Sequence, residues 1–332
     1  MPFREIRGQA RAVAQLRQAW AGGRLAQAYC FVGPAGVGKR RTALALAQAV
    51  NCLAPAGGDG PDACGECRAC RRIAAGRHPD VSVVAPEDKS VITIEQIRAL
   101  TAGAALRPYE GARKVWILDP ADAMQEPAAN AFLKTLEEPA GASLFVLLVT
   151  LLDGLLPTIR SRCQEVRFGP LPEAEIAALL VAEGRSPEAA EAAAALAGGS
   201  AERALAMDPA EYREVEERLV GEVWEALGSL LSTLDQAERL AKDRKELEAA
   251  LAVLLAFTRD LAVAKLGGEA QRLLRSERRA AAERQAAGLS LAAILQIHAA
   301  QAEAERALAR NANARLTAER MLLRMREAIG RG

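Results

Sequence analysis

The sequence predicts an α/β P-loop domain on a parallel sheet, followed by a small helical lid and an all-α C-terminal domain. Three observations carry this. A complete G-x-x-x-x-G-K pattern runs from Gly33 to Lys39, between an apolar run and a run of helix formers. Short apolar segments then alternate with helical patterns as far as residue 168. From about Pro209 onward only long amphipathic stretches occur, with no strand signal.

Each element has a local reason. Ala28–Val32 is a short apolar run that reads as a buried strand, and Thr42–Val50 is rich in helix formers. Strand, glycine-rich turn and helix form the unit that aims a helix N-terminus at phosphate. A plain strand–turn–helix is the alternative. Val81–Ala85, Lys114–Asp119 and Leu144–Thr150 read as further strands. Ile94–Leu100 and Ala128–Glu138 read as helices, the second stopped by Pro139. Gly169–Pro172 reads as a joint. Short helices are expected at about 173–184 and 187–197, the second opened by Ser186-Pro187 and closed by Gly198-Gly199, and a third begins near Ser200. The C-terminal stretches lie at roughly 210–232, 234–266, 269–287 and 291–328. The expected domains are 1–168, with a cysteine module at 52–70 inserted, then 169–208 and 209–332.

Bulk properties exclude several classes. The 332 residues carry a formal net charge of +1, so the chain has no global nucleic-acid signature. Apolar residues make up 51% but aromatics only 4%, which favours Ala-rich helices over a strand-rich core. No run is long and apolar enough to span a membrane, and no apolar leader opens the chain. A cytoplasmic protein is expected.

The phosphate loop has one residue out of pattern. Gly33, Gly36 and Gly38 let backbone N–H groups curl round phosphates, and Lys39 reaches the terminal ones. The hydroxyl that should ligate Mg²⁺ at the next position is replaced by Arg40. Thr42, three residues after Lys39, is a poor substitute. A second part is missing too. Asp119 ends its strand and suits Mg²⁺, but residue 120 is proline, which can neither accept a proton nor orient water. Asp122 is two residues too far on. Loss of general-base catalysis alone lowers a rate by about 10²–10⁴. ATP binding without hydrolysis remains compatible with the loop. Thr150 ends the next strand, where a γ-phosphate could be sensed. Arg160 and Arg162 follow near the sheet edge, either in surface ion pairs or facing a neighbouring subunit.

Cys52, Cys64, Cys67 and Cys70 are the second constellation. Two residues separate each of the last three, and the segment is rich in Gly, Pro and Asp. This spacing suits four-thiolate zinc of the structural kind, with Arg68, Arg71 and Arg72 near to offset charge. An iron–sulfur cluster, a redox pair or unrelated thiols are the alternatives. Cys30 and Cys163 stand apart; Cys30 reads as a small buried residue.

These segments, with others, resemble the AAA+ clamp-loader subunits of bacterial DNA polymerase III. The resemblance rests on Ile6–Gln9, Ala26–Pro34, Asn51-Cys52 with the cysteine triplet, Gly76–Asp80, Ala128–Pro139, Ser161-Arg162-Cys163 and Asn311–Leu316, and spans nearly the whole chain. It implies that Ile6–Gln9 packs near the adenine and that Arg162, within the Ser161-Arg162-Cys163 motif, is an arginine finger acting in trans. It also implies a structural Zn²⁺ on the cysteines and a C-terminal collar that oligomerises. Implied partners are the motor (gamma/tau) and delta subunits, the sliding clamp indirectly, and primer–template DNA through the assembled ring, near the nucleoid. DNA contact would be mostly to phosphates. Basic residues between Arg98 and Arg113 are candidates for it, or simply solvated. Arg40, Pro120 and the register of Arg203, one residue late with Glu202 in its place, favour a member that does not hydrolyse ATP, as does the lack of a long Pro-rich stretch after the last helix. The alternatives are an active clamp-loader ATPase and a zinc-containing DNA-binding protein on an inactive P-loop fold.

Overall fold

A computed structural model describes residues 2–55, 62–87, 91–138, 142–267, 276–309 and 312–330. Pro139, Asn311, residues 269–275 of the third C-terminal stretch and residues 56–61 of the cysteine module lie outside them. The chain divides into two compact units, Met1–Met207 and Asp208–Gly332.

The first unit is built on five strands, β1 (Ala28–Val32), β2 (Val81–Val84), β3 (Lys114–Leu118), β4 (Ser143–Val149) and β5 (Gln164–Arg167). They lie in the order β2-β3-β4-β1-β5, and every pairing is parallel. Parallel strands need crossovers, so both faces are covered and the inner strands are largely apolar. β4, between β3 and β1, is buried at every residue. Its alternate side chains serve two cores. Leu144, Val146 and Leu148 join Tyr29, Phe31, Val115 and Ile117 on one face. Phe145, Leu147 and Val149 join Ala28, Cys30 and Leu118 on the other. The result is a parallel α/β sheet that carries the phosphate loop at the end of β1.

Helix α1 (Ala10–Ala21) precedes β1, and α2 (Lys39–Asn51), α3 (Arg68–Ala74), α4 (Ile94–Ala104), α5 (Glu126–Glu137) and α6 (Pro157–Arg160) lie in the crossovers. A capping box closes the start of α4: the Thr93 hydroxyl accepts from Gln96 N–H, and Gln96 Oε1 accepts from Thr93 N–H at 3.0 Å. Helices α7 (Glu173–Ala182), α8 (Pro187–Leu196) and α9 (Ala201–Ala206) follow, and Ile176, Leu180, Ala190, Ala193 and Ala204 join the core that covers β1.

The second unit holds α10 (Pro209–Ala226), α11 (Leu230–Leu240), α12 (Arg244–Leu266), α13 (Ser276–Ala287), α14 (Leu291–Ala309) and α15 (Ala314–Gly330). Three expected stretches are broken. The first, 210–232, breaks before α11, where the Ser229 hydroxyl accepts from Ser232 N–H, and two more break further on. The stretch 234–266 splits because the Asp243 carboxylate caps α12 through the Lys245 and Glu246 N–H groups. The stretch 291–328 splits before α15, where Asn313 Oδ1 accepts from Leu316 N–H at 3.1 Å. Apolar periodicity continues across the last two breaks, so the pattern hides them, and the caps decide. β5, α1 and α3 were not anticipated. β5 has only Val166 buried, which leaves no apolar run to see. No helix among the described residues is long and apolar enough to cross a membrane.

Phe132 on α5 is fully buried and meets Phe145 of β4 edge to face, ring centroids 5.4 Å apart. Phe132→Ala should lower the stability of the first unit by about 3–5 kcal/mol. Urea unfolding followed by Trp116, with Trp20 and Trp224 replaced by phenylalanine, measures it.

Candidate functional site

The phosphate loop joins β1 to α2. Gly36 and Gly38 adopt φ of 73° and 97°, open to glycine with little strain, and Gly38 caps α2. Gly33 is required by space, because a Cβ there would lie 2.2 Å from the Phe168 carbonyl oxygen. Lys39 is the first residue of α2. Its Nζ donates to the carbonyls of Gly33 at 2.5 Å and Pro34 at 2.6 Å, so it is folded back onto the loop. Burial lowers its pKa, opposed by Asp122, Asp119 and Glu202.

Arg40 points across to the strand-end acid, with Nη1 3.6 Å from Asp119 Oδ2. Burial raises the Asp119 pKa, and the cations of Arg40 and Lys39 counter it. The Asp119–Pro120 peptide is cis. Thr42 is fully buried and donates its hydroxyl to the Gly38 carbonyl at 3.0 Å, so it does not replace the missing metal ligand. Asp122 is engaged within the chain. Its Oδ2 accepts from Thr150 N–H at 3.1 Å, which ties the end of β4 to the turn after β3, and burial raises its pKa.

A cleft of about 1100 Å³ gathers these groups. Lys39, Arg40, Asp119 and Thr150 line it, together with Arg4–Arg7 from the N-terminal segment and Glu202 from α9. The helices after β5 sit directly on the loop: Ala201 N–H donates to the Gly36 carbonyl at 3.0 Å. A Cβ on Gly36 would meet Ser200 Oγ at 2.1 Å. Glu202 is thus at the cleft, and Arg203 is not among its lining residues.

Arg162 follows α6 and is about one-third exposed. Its Nη2 donates to Glu137 Oε1 at 2.7 Å, and its Nη1 donates to the Thr158 carbonyl at 2.8 Å. Ser161 donates to the same carbonyl at 3.1 Å. Cys163 packs against the core beside Cys30, and burial pushes both thiols up to about 12. They are inert at neutral pH.

The four other cysteines converge at the far end of α2. Their Sγ atoms all lie within 4.8 Å of one another, and Cys52–Cys64, Cys52–Cys70 and Cys64–Cys70 are 3.5, 3.7 and 4.0 Å apart. A tetrahedral thiolate site with bonds of about 2.3 Å puts sulfurs about 3.8 Å apart, so the residues fit zinc. Backbone N–H groups of Cys64, Glu66, Cys67 and Cys70 donate to cluster sulfurs at 3.2–3.5 Å. Burial of Cys67 is outweighed by such donors, which hold its thiol down at about 6, whereas burial raises that of Cys70. The arginines behave differently from expectation. Arg68 and Arg72 pair with Glu110 at 3.2 and 2.6 Å instead of neutralising sulfur. They fasten α3 to the loop before β3.

Several anchors of these sites were not anticipated, although they sit inside the segments that carry the resemblance. Buried Asp80 accepts from the N–H groups of Tyr109, Glu110 and Gly111 at 2.7–2.9 Å, and so shapes the loop that presents Glu110. Asn51 pairs both ways with the Arg113 backbone, at 2.9 and 3.0 Å. Gln9 Nε2 donates to the carbonyls of Val37 and Gly169. The signal available was polar residues placed at element ends; what they would bond to was not visible. Arg98 and Arg107, among the suggested DNA contacts, are simply exposed.

A family model described as "DNA polymerase III, delta subunit" matches residues 8–172. The DNA polymerase III subunit delta' of Pseudomonas aeruginosa is 40% identical over 64% of this chain, and the matched stretch spans 65% of that relative, just under two thirds. The delta' subunit of Bacillus subtilis is 34% identical over 74% of each chain. The gamma/tau subunit of Mycobacterium tuberculosis is 35% identical over 54% of this chain and 30% of its own length. Among solved structures, a DNA polymerase III gamma subunit-related protein of Thermotoga maritima is similar at 21% identity and TM-score 0.43, covering 95% of this chain and 99% of its own.

Two outcomes are expected. A reduced preparation should carry about one Zn²⁺ per chain, and chelation should lower its melting temperature, as metal analysis and calorimetry would report. Burial opposes ionisation of Asp80, but its backbone donors outweigh it and hold its pKa below the usual carboxylate value. The stability it adds is therefore present above the unfolded pKa of about 3.9 and is lost as pH falls through the lower folded value. The gap between wild type and Asp80→Asn should be full at pH 6 and shrink steadily below about pH 4 in urea titrations.

Proposed function

The chain belongs to the DNA polymerase III delta' family, and we propose that it serves as a clamp-loader subunit that does not hydrolyse ATP and lends Arg162 to the ATP site of an adjacent motor subunit. The observation that carries this reading is the ion pair of Arg40 with Asp119. A guanidinium occupies the acid that an active P-loop site keeps for Mg²⁺, and the residue after that acid is Pro120. Three carboxylates, Asp119, Asp122 and Glu202, face Lys39 and Arg40 before any phosphate arrives. Such a site favours a scaffold over an engine. Nucleotide binding through Gly33, Gly36, Gly38, Lys39 and Thr150 stays open, without turnover.

Arg162 fits the giving side of such an arrangement. Its guanidinium is held by Glu137 and Thr158 yet about one-third exposed, so it is pre-positioned at low entropic cost. A phosphate of a neighbouring subunit can take over from the Glu137 carboxylate, and the fork geometry of arginine suits both. A finger of this kind contributes about 10³–10⁵ in rate by stabilising charge on the transferring phosphoryl group. Cys52, Cys64, Cys67 and Cys70 would hold a structural Zn²⁺, which leaves no open position for catalysis and cross-links the end of α2 to α3. In this reading the three functional domains are 1–168, 169–208 and 209–332, with the last acting as an oligomerising collar. The partners are motor (gamma/tau) and delta subunits, with the sliding clamp and primer–template DNA engaged through the assembled ring in the cytoplasm.

Reconstitution with motor and delta subunits tests this. Arg162→Ala should abolish clamp loading and lower turnover at the adjoining ATP site by roughly 10³-fold, read as DNA-stimulated phosphate release. Unchanged clamp loading overturns the finger. The isolated chain should release no phosphate from ATP; robust DNA-stimulated turnover by it alone identifies an active ATPase instead.

A further inference from the structure

The N-terminal segment is tied to the cysteine cluster through a buried carboxylate. Arg4, Glu5, Ile6 and Arg7 form one wall of the P-loop cleft. The N–H groups of Phe3 and Arg4 donate to Asp62 at 2.8 and 3.0 Å, each to its own oxygen. Asp62 is 3% exposed, accepts also from Ala63 N–H, and pairs with Arg17 of α1 at 3.1 Å. Arg4 reaches back over it: Nη1 donates to the Ala63 carbonyl at 2.8 Å and Nη2 to the Cys64 carbonyl at 2.9 Å. Pro2 lies against the same turn, near Gly65.

Residues 63–65 belong to no helix or strand, so no backbone ladder sets their course. Apart from the bonds to Arg4 and Asp62, their fixed points are the sulfurs. Cys64 N–H donates to Cys52 Sγ at 3.3 Å, and Cys64 Sγ accepts from the Glu66 and Cys67 N–H groups. A metal on the four sulfurs therefore fixes the backbone at 62–64, and that backbone fixes the segment that walls the cleft. We propose that Asp62 and Arg4 are positioning residues that couple metal occupancy at the four cysteines to the N-terminal wall of the P-loop cleft. The zinc module thus has a use beyond local stability: it determines the shape of the cleft opposite α9. The inference rests on the reading of the cysteines as a metal site and is independent of the role of Arg162.

Coupling is reciprocal, so two measurements must agree. In amide hydrogen exchange on the full chain, stripping the metal should lower protection at Phe3–Arg7 by about tenfold, and reloading with Zn²⁺ should restore it. The Phe3 and Arg4 amides report directly, being the donors to Asp62. Conversely, Arg4→Met and Asp62→Asn should weaken Zn²⁺ retention against a chromophoric chelator by about fivefold or more. Arg4→Lys, which keeps one donor, should recover part of it. Arg4 is half exposed, so its variants leave the core intact. Stoichiometric Zn²⁺ with equal protection at Phe3–Arg7 in stripped and loaded chains overturns the coupling. So do variants that loosen the segment while retaining Zn²⁺ as wild type does. Less than one Zn²⁺ per chain in a reduced preparation overturns the metal reading itself, and this inference with it.

Discussion

All five strands of the sheet run the same way, and the sites of the first unit follow from that constraint. Parallel strands put their C-terminal ends on one edge, where the turns that follow them meet. The phosphate loop leaves β1 there, Asp119 leaves β3, and Thr150 leaves β4. Residues separated by more than a hundred positions become neighbours with no special interaction needed to gather them. The sheet can do this only because β4 is apolar on both faces and both faces are covered. Polar substitutions in that strand would disturb the edge before they touched any functional residue.

Once the edge is assembled, charge decides what it does. Asp119 is engaged within the chain by Arg40, and Lys39 by the carbonyls of Gly33 and Pro34. Glu202 adds a further negative charge from α9, whose Ala201 N–H donates to the loop at the Gly36 carbonyl. The loop keeps its shape while its ligands are satisfied internally. Arg162 shows the opposite design, with a cation held in place and still partly open to solvent.

The cysteine cluster is tied to two neighbouring segments. Arg68 and Arg72, the cations expected to balance the thiolates, instead fasten α3 to Glu110. Glu110 is itself presented by a loop that Asp80 holds through three N–H groups. On its other side the cluster reaches the N-terminal segment through Asp62 and Arg4. It therefore stands between the two ends of α2's surroundings, the loop before β3 and the wall of the cleft.

Local sequence determined the strand–loop–helix unit, the departures from the loop pattern at Arg40 and Pro120, the cysteine set and the helical character of the C-terminal stretches. Each is written in contiguous residues, whose spacing or periodicity has one physical consequence. β5 was not legible, because one buried valine in a polar strand carries no period. The breaks before α12 and α15 were hidden because their caps, Asp243 and Asn313, interrupt no apolar stripe. Tertiary structure alone decided the partners of Arg40, Lys39 and Arg162, the place of Glu202 at the cleft, and the anchoring of Phe3 and Arg4 on Asp62. Apart from the local Arg162–Thr158 bond, those are contacts across 5 to 165 residues of chain, and a side chain's type fixes what it can bond, not what the fold brings within reach.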